Sequence, residues 1–305
     1  MGCYVTRYDA RVSVPRTPIA KLRKGAPILF LAGAVAIAVV VFLAARRHEN
    51  PSRCGSGWVS MGPRCCAEGQ SFRAGHCVGT ARPCPLRFHQ PAPDNQGCAA
   101  DLTRIEIAPT QLSIGPNDWQ SEQVAPIAAS VAGFKVDATE VTHEQWQTCV
   151  AAQRCPDIDS RELGQPVANV SVEQAQAYCT YRGGRLPWLN EHMALAAGAT
   201  SRRFPWGQTG LVCRRANFGI VAGPCAEGGN QPDIAGSHPD GQSPEGVLDL
   251  SGNVAELTLD AESKPWACGG SFRSQTALEL KSWACVLWTK PTDDVGFRCV
   301  YDLHD

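Results

Sequence analysis

The sequence predicts an α+β domain, irregular and loop-rich, held outside a membrane by one N-terminal helix and preceded by a small Cys-rich segment. Three observations carry this expectation. Residues 25–45, "GAPILFLAGAVAIAVVVFLAA", contain no charged residue. Of the 15 cysteines, only Cys3 precedes that run. The 29 glycines and 22 prolines among 305 residues point to loops rather than to a helical bundle.

The apolar run comes first. At ~1.5 Å per residue a helix of this length reaches roughly 30 Å, the thickness of the hydrocarbon core. Lys24 closes it on one side and Arg46 with Arg47 on the other. The first 26 residues carry six Lys/Arg and the 21 after the span carry four. That bias places the tail 1–24 in the cytoplasm and the rest in the periplasm or outside the cell. A cleaved signal peptide is the alternative, with an unusually long apolar core and only "LAA" as a cleavage site. Fourteen cysteines on one side of the span form an even set, as disulfides in an oxidising compartment do. Zinc is the other reading, but the chain has no C-x-x-C knuckle and no histidine at ligand spacing. A net charge of −1 gives no electrostatic basis for nucleic-acid binding.

Residues 46–53 read as a polar linker. Residues 54–98 hold six cysteines: Cys54, Cys65, Cys66, Cys77, Cys84 and Cys98. Two units, "CGSGWVSMGPRC" and "CAEGQSFRAGHC", share the pattern C-x2-G-x7-C. Units this short cannot bury a core and must be held by disulfides. The segment 46–100 reads as a stalk and linker lifting the main domain off the membrane, with a miniature binding module as the alternative.

The main domain spans 101–305. "RIEIAPTQLSI" (104–114) reads as a strand entering a loop and "GFKVDATEV" (133–141) as a second strand. "THEQWQTCVAAQ" (142–153) reads as a helix with Thr142 and Gln145 as a capping box. "SVEQAQAYCTYRGG" (171–184) repeats the device with Ser171 and Gln174, and stops at Gly183-Gly184. A third helix is expected around 188–197, ending at Gly198. Gly, Pro, Asn and Asp then dominate to residue 247, as in long loops. His143 and His192 fall on helices and read as surface or packing residues. No G-x-S-x-G, H-E-x-x-H or phosphate loop is present.

Six stretches in register, "DATEVTHEQW", "PVANVSVEQAQAYCTYRGGRLP", "FPWG", "GVLDLSGNVAELTLD", "CGGSF" and "VGFRCV", resemble the sulfatase-modifying-factor, or formylglycine-generating enzyme, family. The resemblance implies a C-type-lectin-like fold with few regular elements. Active members oxidise a peptide cysteine to formylglycine with O2 and a Cu(I) ion held by two cysteine thiolates. Those thiolates follow the G-G-S turn, here Gly269-Gly270-Ser271, and their positions here are Ser274 and Glu279. A neutral hydroxyl and a hard carboxylate do not suit Cu(I), so neither a copper centre nor a catalytic residue is expected. Some relatives use iron held by histidines of an added helical bundle, which no segment here matches.

The resemblance also implies bridges. Cys179 and Cys299 match a family disulfide. Cys149 with Cys155, and Cys213 with Cys225, would close loops. Cys268 stands where the family has an arginine, and the usual partner position of Cys285 is Ala196. A Cys268–Cys285 disulfide accounts for both changes; a thiol pair for copper is the alternative. A structural calcium loop carries over to Asp249, Gly252, Val254 and Glu256, with two side chains and two carbonyls as ligands; a solvent-facing turn is the alternative. The expected function is then a non-oxidase module that binds an extracytoplasmic protein, peptide or glycan. An atypical formylglycine-forming oxidase and a structural envelope protein are the alternatives.

Overall fold

The computed structural model describes residues 58–61, 64–73, 76–81, 83–90, 98–114, 127–159, 161–210, 215–219 and 231–303. The expected membrane span 25–45, Cys54 and the expected Cys213–Cys225 bridge lie outside them. Among the described residues no helix is long and apolar enough to cross a membrane.

The Cys-rich segment is a run of short hairpins. β1 (Trp58–Met61) pairs with β2 (Arg64–Ala67), and β3 (Ser71–Arg73) with β4 (His76–Val78). β5 (Phe88–His89) pairs with β6 (Ala99–Ala100). Bridges Cys66–Cys77 and Cys84–Cys98 staple them. The described part of this segment packs with the main domain rather than standing apart from it. Residues 53–305 form one compact unit. Trp58 meets Phe88 edge to face at 5.1 Å, and both line a recess with Thr139, Gly236 and Leu248 of the main domain. His89 bonds Asp101 and reaches Glu144 across the boundary. The two rings pack on the segment's own small cluster of Ala67, Ala81 and Cys98, and the recess they share with the main domain joins that cluster to it.

In the main domain β7 (Arg104–Ile107), β10 (Phe134–Asp137) and β15 (Val300–Asp302) form an antiparallel sheet with β10 central. The stretch 104–114, read as a strand entering a loop, is two strands with a break at Ala108-Pro109. β8 (Thr110–Ile114) then leaves to pair with β9 (Ile127–Val131). Proline has no N–H to continue a ladder, which explains the break. The second strand ends at Asp137, short of the expected 141. The chain bends at 138–139, and residues 138–141 bond to loops: Ala138 N–H donates to Thr103 O and Val141 N–H to Phe297 O.

The helices stand where the capping signals put them. In α1 (His143–Ala151) and α2 (Val172–Tyr181) both halves of each capping box are made. α3 (Leu189–Ala197) stops at Gly198, whose φ of 61° is left-handed. α3 packs Met193, Leu195 and its alanines against Leu112, Ile114, Val131 and Phe134. A second core gathers Trp146 of α1, Tyr178 of α2 and Phe297, with the Trp146 and Tyr178 rings stacked at 5.6 Å. Cys149–Cys155 and Cys179–Cys299 border it.

From 198 to 254 the described chain is loop apart from a 3-10 turn at Pro239–Gly241. A four-stranded sheet follows. Its order is β13 (Cys285–Leu287), β12 (Pro265–Cys268), β11 (Ala255–Leu259) and β14 (Val295–Gly296). β13 is therefore an edge, and Cys268 lies directly opposite Cys285.

Candidate functional site

Between β12 and β13 the chain makes the G-G-S turn. Gly270 has φ 68°, and a Cβ there would lie 2.4 Å from Glu279 O and 2.7 Å from Ser274 Oγ, so only glycine fits. Ser274 is buried, and its Oγ accepts from Ser271 N–H at 3.0 Å. Ser274 N–H donates to Ser271 O, closing the turn. Glu279 turns the other way. It caps the short 3-10 helix Ala277–Leu280, accepting from Thr276 N–H at 3.1 Å and Thr276 Oγ1–H at 2.8 Å. Both positions that match the family's copper ligands thus serve local backbone structure, and neither offers a soft donor. These residues do not fit Cu(I).

Cys268 and Cys285 are joined as a disulfide, so in this form their sulfurs are not thiolate ligands. The ligand-capable atoms of His192, Cys268 and Cys285 all lie within 4.8 Å of one another. His192 is fully buried on α3, and neither ring nitrogen has a hydrogen-bond partner. Its Nε2 lies 3.5 Å from Glu256 Oε2.

Beneath the turn is a buried ionic network. Arg298, wholly buried, donates from Nε to Glu256 Oε2 at 2.7 Å and from Nη2 to Glu256 Oε1 at 2.6 Å. Nη1 donates to Asp137 O and Nη2 also to Leu248 O. Burial alone would raise the Glu256 pKa, but Arg298 and His192 bring it down to about 2. Glu140 accepts from Asn253 Nδ2–H and Val254 N–H, and burial beside Asp249 and Glu256 pushes its pKa well up.

The four residues expected to hold calcium meet this network at two points. Asp249 is buried with φ 55°; its Oδ2 accepts from Gly236 N–H and its Oδ1 has no partner. That oxygen suits a hard cation. Gly252 has φ 82° and lies so close to Asn217 O that a Cβ would sit 2.5 Å from it, and Val254 follows in the same loop. Glu256 does not fit: both its oxygens are held by a guanidinium, which already supplies the positive charge a calcium ion would bring. As a four-donor calcium site the set fails at Glu256.

His143, the first residue of α1, is buried with Nε2 unpartnered; burial and then the Arg161 charge push its pKa down to about 4. It lines a polar recess of about 400 Å³ with Asp157, Asp159, Arg161 and Asn169. A larger cleft of about 540 Å³ opens at the start of α3, lined by Arg185, Trp188, Asn190, Leu259, Asp260 and Ser130. Trp188 is 40% exposed there, with the Arg185 guanidinium 5.5 Å over its ring. Arg185 is fixed by a bidentate pair with Glu191, both bonds 2.8 Å.

Sequence reasoning passed over this cleft and the role of Arg298. Arg298 had a signal, the "VGFRCV" landmark, but nothing in it told that its partner is Glu256, 42 residues earlier.

The scaffold and its landmarks define a class. The sulfatase-modifying factor enzyme 1-like domain matches residues 91–303, and the chain belongs to that family. Among curated proteins, a hercynine oxygenase of Mycolicibacterium smegmatis is 29% identical over 134 residues, covering 43% of this chain and 29% of the oxygenase. The chain thus spans less than a third of that relative's length. PvdO from Pseudomonas aeruginosa shares the fold at 20% identity, with a TM-score of 0.52 over 71% of this chain and 98% of its own. Treponema denticola variable protein 1 does so at 19% identity, with a TM-score of 0.53 over 66% and 95%.

Proposed function

We propose that this chain is a membrane-anchored, extracytoplasmic binding module on a sulfatase-modifying-factor scaffold, taking a protein, peptide or glycan rather than oxidising a peptide cysteine. One observation carries the reading. Ser274 and Glu279 stand where copper thiolates would be, and both are spent on a turn and a helix cap. The binding surface in this reading is the cleft around Trp188. An exposed indole braced by a guanidinium gives a flat apolar platform, and Asn190, Asp260 and Ser130 supply polar groups at its rim. Peptide backbones and sugar rings both suit such a site.

The second reading is an oxidase, favoured by the likeness of part of the chain to hercynine oxygenases. One experiment separates the two. The purified full chain is incubated in air with Cu(I) and a cysteine-containing sulfatase peptide, and is separately applied to peptide and glycan arrays. The binding reading expects an unaltered peptide and array ligands that Trp188→Ala loses by about tenfold or more, since a buried aromatic anchor contributes over 1 kcal/mol. Formylglycine in the peptide would establish the oxidase instead.

A further inference from the structure

We propose that the Cys268–Cys285 disulfide is a redox gate over a latent metal site: once reduced, the two thiolates and His192 bind a thiophilic d10 ion, zinc(II).

Geometry assembles the three donors. Cys268 and Cys285 are directly opposed on β12 and β13, and α3 carries His192 against them. The ladder fixes the two Cβ atoms a short distance apart whether or not the sulfurs are bonded. Two sulfurs bound to one tetrahedral zinc at ~2.3 Å stand roughly 3.8 Å apart, a separation that modest rotation about each Cα–Cβ bond opens from the disulfide.

His192 is the independent observation. A buried imidazole normally has a partner, because leaving it without one costs about 1–3 kcal/mol. This one is fully buried; Nε2 has only the long Glu256 contact and Nδ1 has no partner at all. One nitrogen, Nε2, faces Glu256 at 3.5 Å. Zinc-bound histidines are commonly oriented by such a carboxylate. Glu256 is itself held rigid by Arg298, so the second sphere is in place before any ion arrives. The Thr258 hydroxyl lies 3.6 Å from Cys268 Sγ, where it can donate to a thiolate.

Access and charge follow. Cys268 is buried, but Cys285 is partly exposed on the edge strand, beside the exposed Val286 and Leu287. A dithiol reductant can therefore attack from that side. In the exchange the dithiol is oxidised to its own disulfide, and Cys268 and Cys285 each gain one electron and one proton. Zinc(II) then displaces the two thiol protons. Two thiolates and one divalent ion sum to zero charge, which a buried site tolerates; Cu(I) would leave one negative charge beside Glu256, Asp249 and Glu140.

The test uses the purified full chain, anaerobically reduced by a dithiol and titrated with zinc, with cobalt(II) as a spectroscopic stand-in. The expected result is one equivalent of zinc that shields Cys268 and Cys285 from alkylation in peptide mapping. Cobalt should show thiolate charge-transfer bands for two sulfurs in a tetrahedral field. The double variant Cys268→Ser with Cys285→Ser should bind one equivalent fewer, which subtracts any metal held by the other reduced cysteines. His192→Gln should weaken binding by at least about tenfold, the loss that even an outer-sphere change brings, while both thiols still alkylate when metal is absent. The wild-type alkylation map and cobalt spectrum do not depend on any variant folding. Equal stoichiometry in wild type and double variant, alkylation of Cys268 and Cys285 despite bound metal, or uptake of Cu(I) without zinc would each overturn the proposal.

Discussion

At the residue scale the chemistry of this chain turns on Arg298. A guanidinium with no solvent exposure is tolerable because it donates four hydrogen bonds, two of them to Glu256. Arg298→Met keeps most of the volume but strands a carboxylate in the core. It should lower unfolding stability by about 3–5 kcal/mol, the cost of removing one partner of a buried pair, read as a shift in the urea midpoint. The same residue bears on calcium binding. With Glu256 already neutralised, a chelator should leave the wild-type melting temperature unchanged. A drop on chelation that calcium reverses would instead place an ion on the unpartnered Asp249 Oδ1. Ser274 and Glu279 show the complementary case. A hydroxyl and a carboxylate that could not replace thiolates as copper ligands are well suited to close a turn and cap a helix.

At the scale of elements, the central strand β10 is clipped to β15 by a carboxyl group. Tyr301 Oη–H donates to the Asp137 oxygens at 3.0 and 3.1 Å, and Arg104 lies 3.5 Å over the Tyr301 ring. Burial raises the Asp137 pKa from 3.8 to about 6, against the lowering influence of Tyr301 and Arg104. Between those values the folded state holds a proton that the unfolded state has released. Stability contributed by this group must therefore fall as pH rises from about 4 to about 6, then level off. Its share is on the order of 3 kcal/mol. Asp249 and Glu140, also raised by burial, tilt the profile the same way. Asp137→Asn should remove that share of the slope and leave the rest, as urea midpoints at pH 4 to 7 would report. An unaltered slope would mean that Asp137 is ionised in the fold.

For the whole molecule, the described part of the Cys-rich segment belongs to the same compact unit as the main domain. The proposed topology puts the tail 1–24 in the cytoplasm and that unit outside the membrane. Protease added to intact spheroplasts should remove a C-terminal tag, and full protection of the tag would contradict the topology. Disulfide placement accords with an external location: five bridges tie the described part of the chain.

Local signals in the sequence determined what local physics controls. Thr142 with Gln145 and Ser171 with Gln174 started two helices because a capping box satisfies orphan N–H groups within four residues. Gly198 stopped the third helix because its left-handed backbone is easiest for glycine. The six landmarks carried the family, and the missing thiolates at Ser274 and Glu279 were readable by counting. Tertiary structure alone decided the rest. Glu256 looked like a metal ligand until Arg298 was seen to bind it. The Cys-rich segment looked like a spacer until Trp58 and Phe88 were seen to share a recess with Thr139, Gly236 and Leu248. His192 looked like packing until α3 set it against Cys268 and Cys285. Each of these outcomes depends on which partner arrives from a distant part of the chain, and a buried charge or ring takes its role from that partner rather than from its neighbours in sequence.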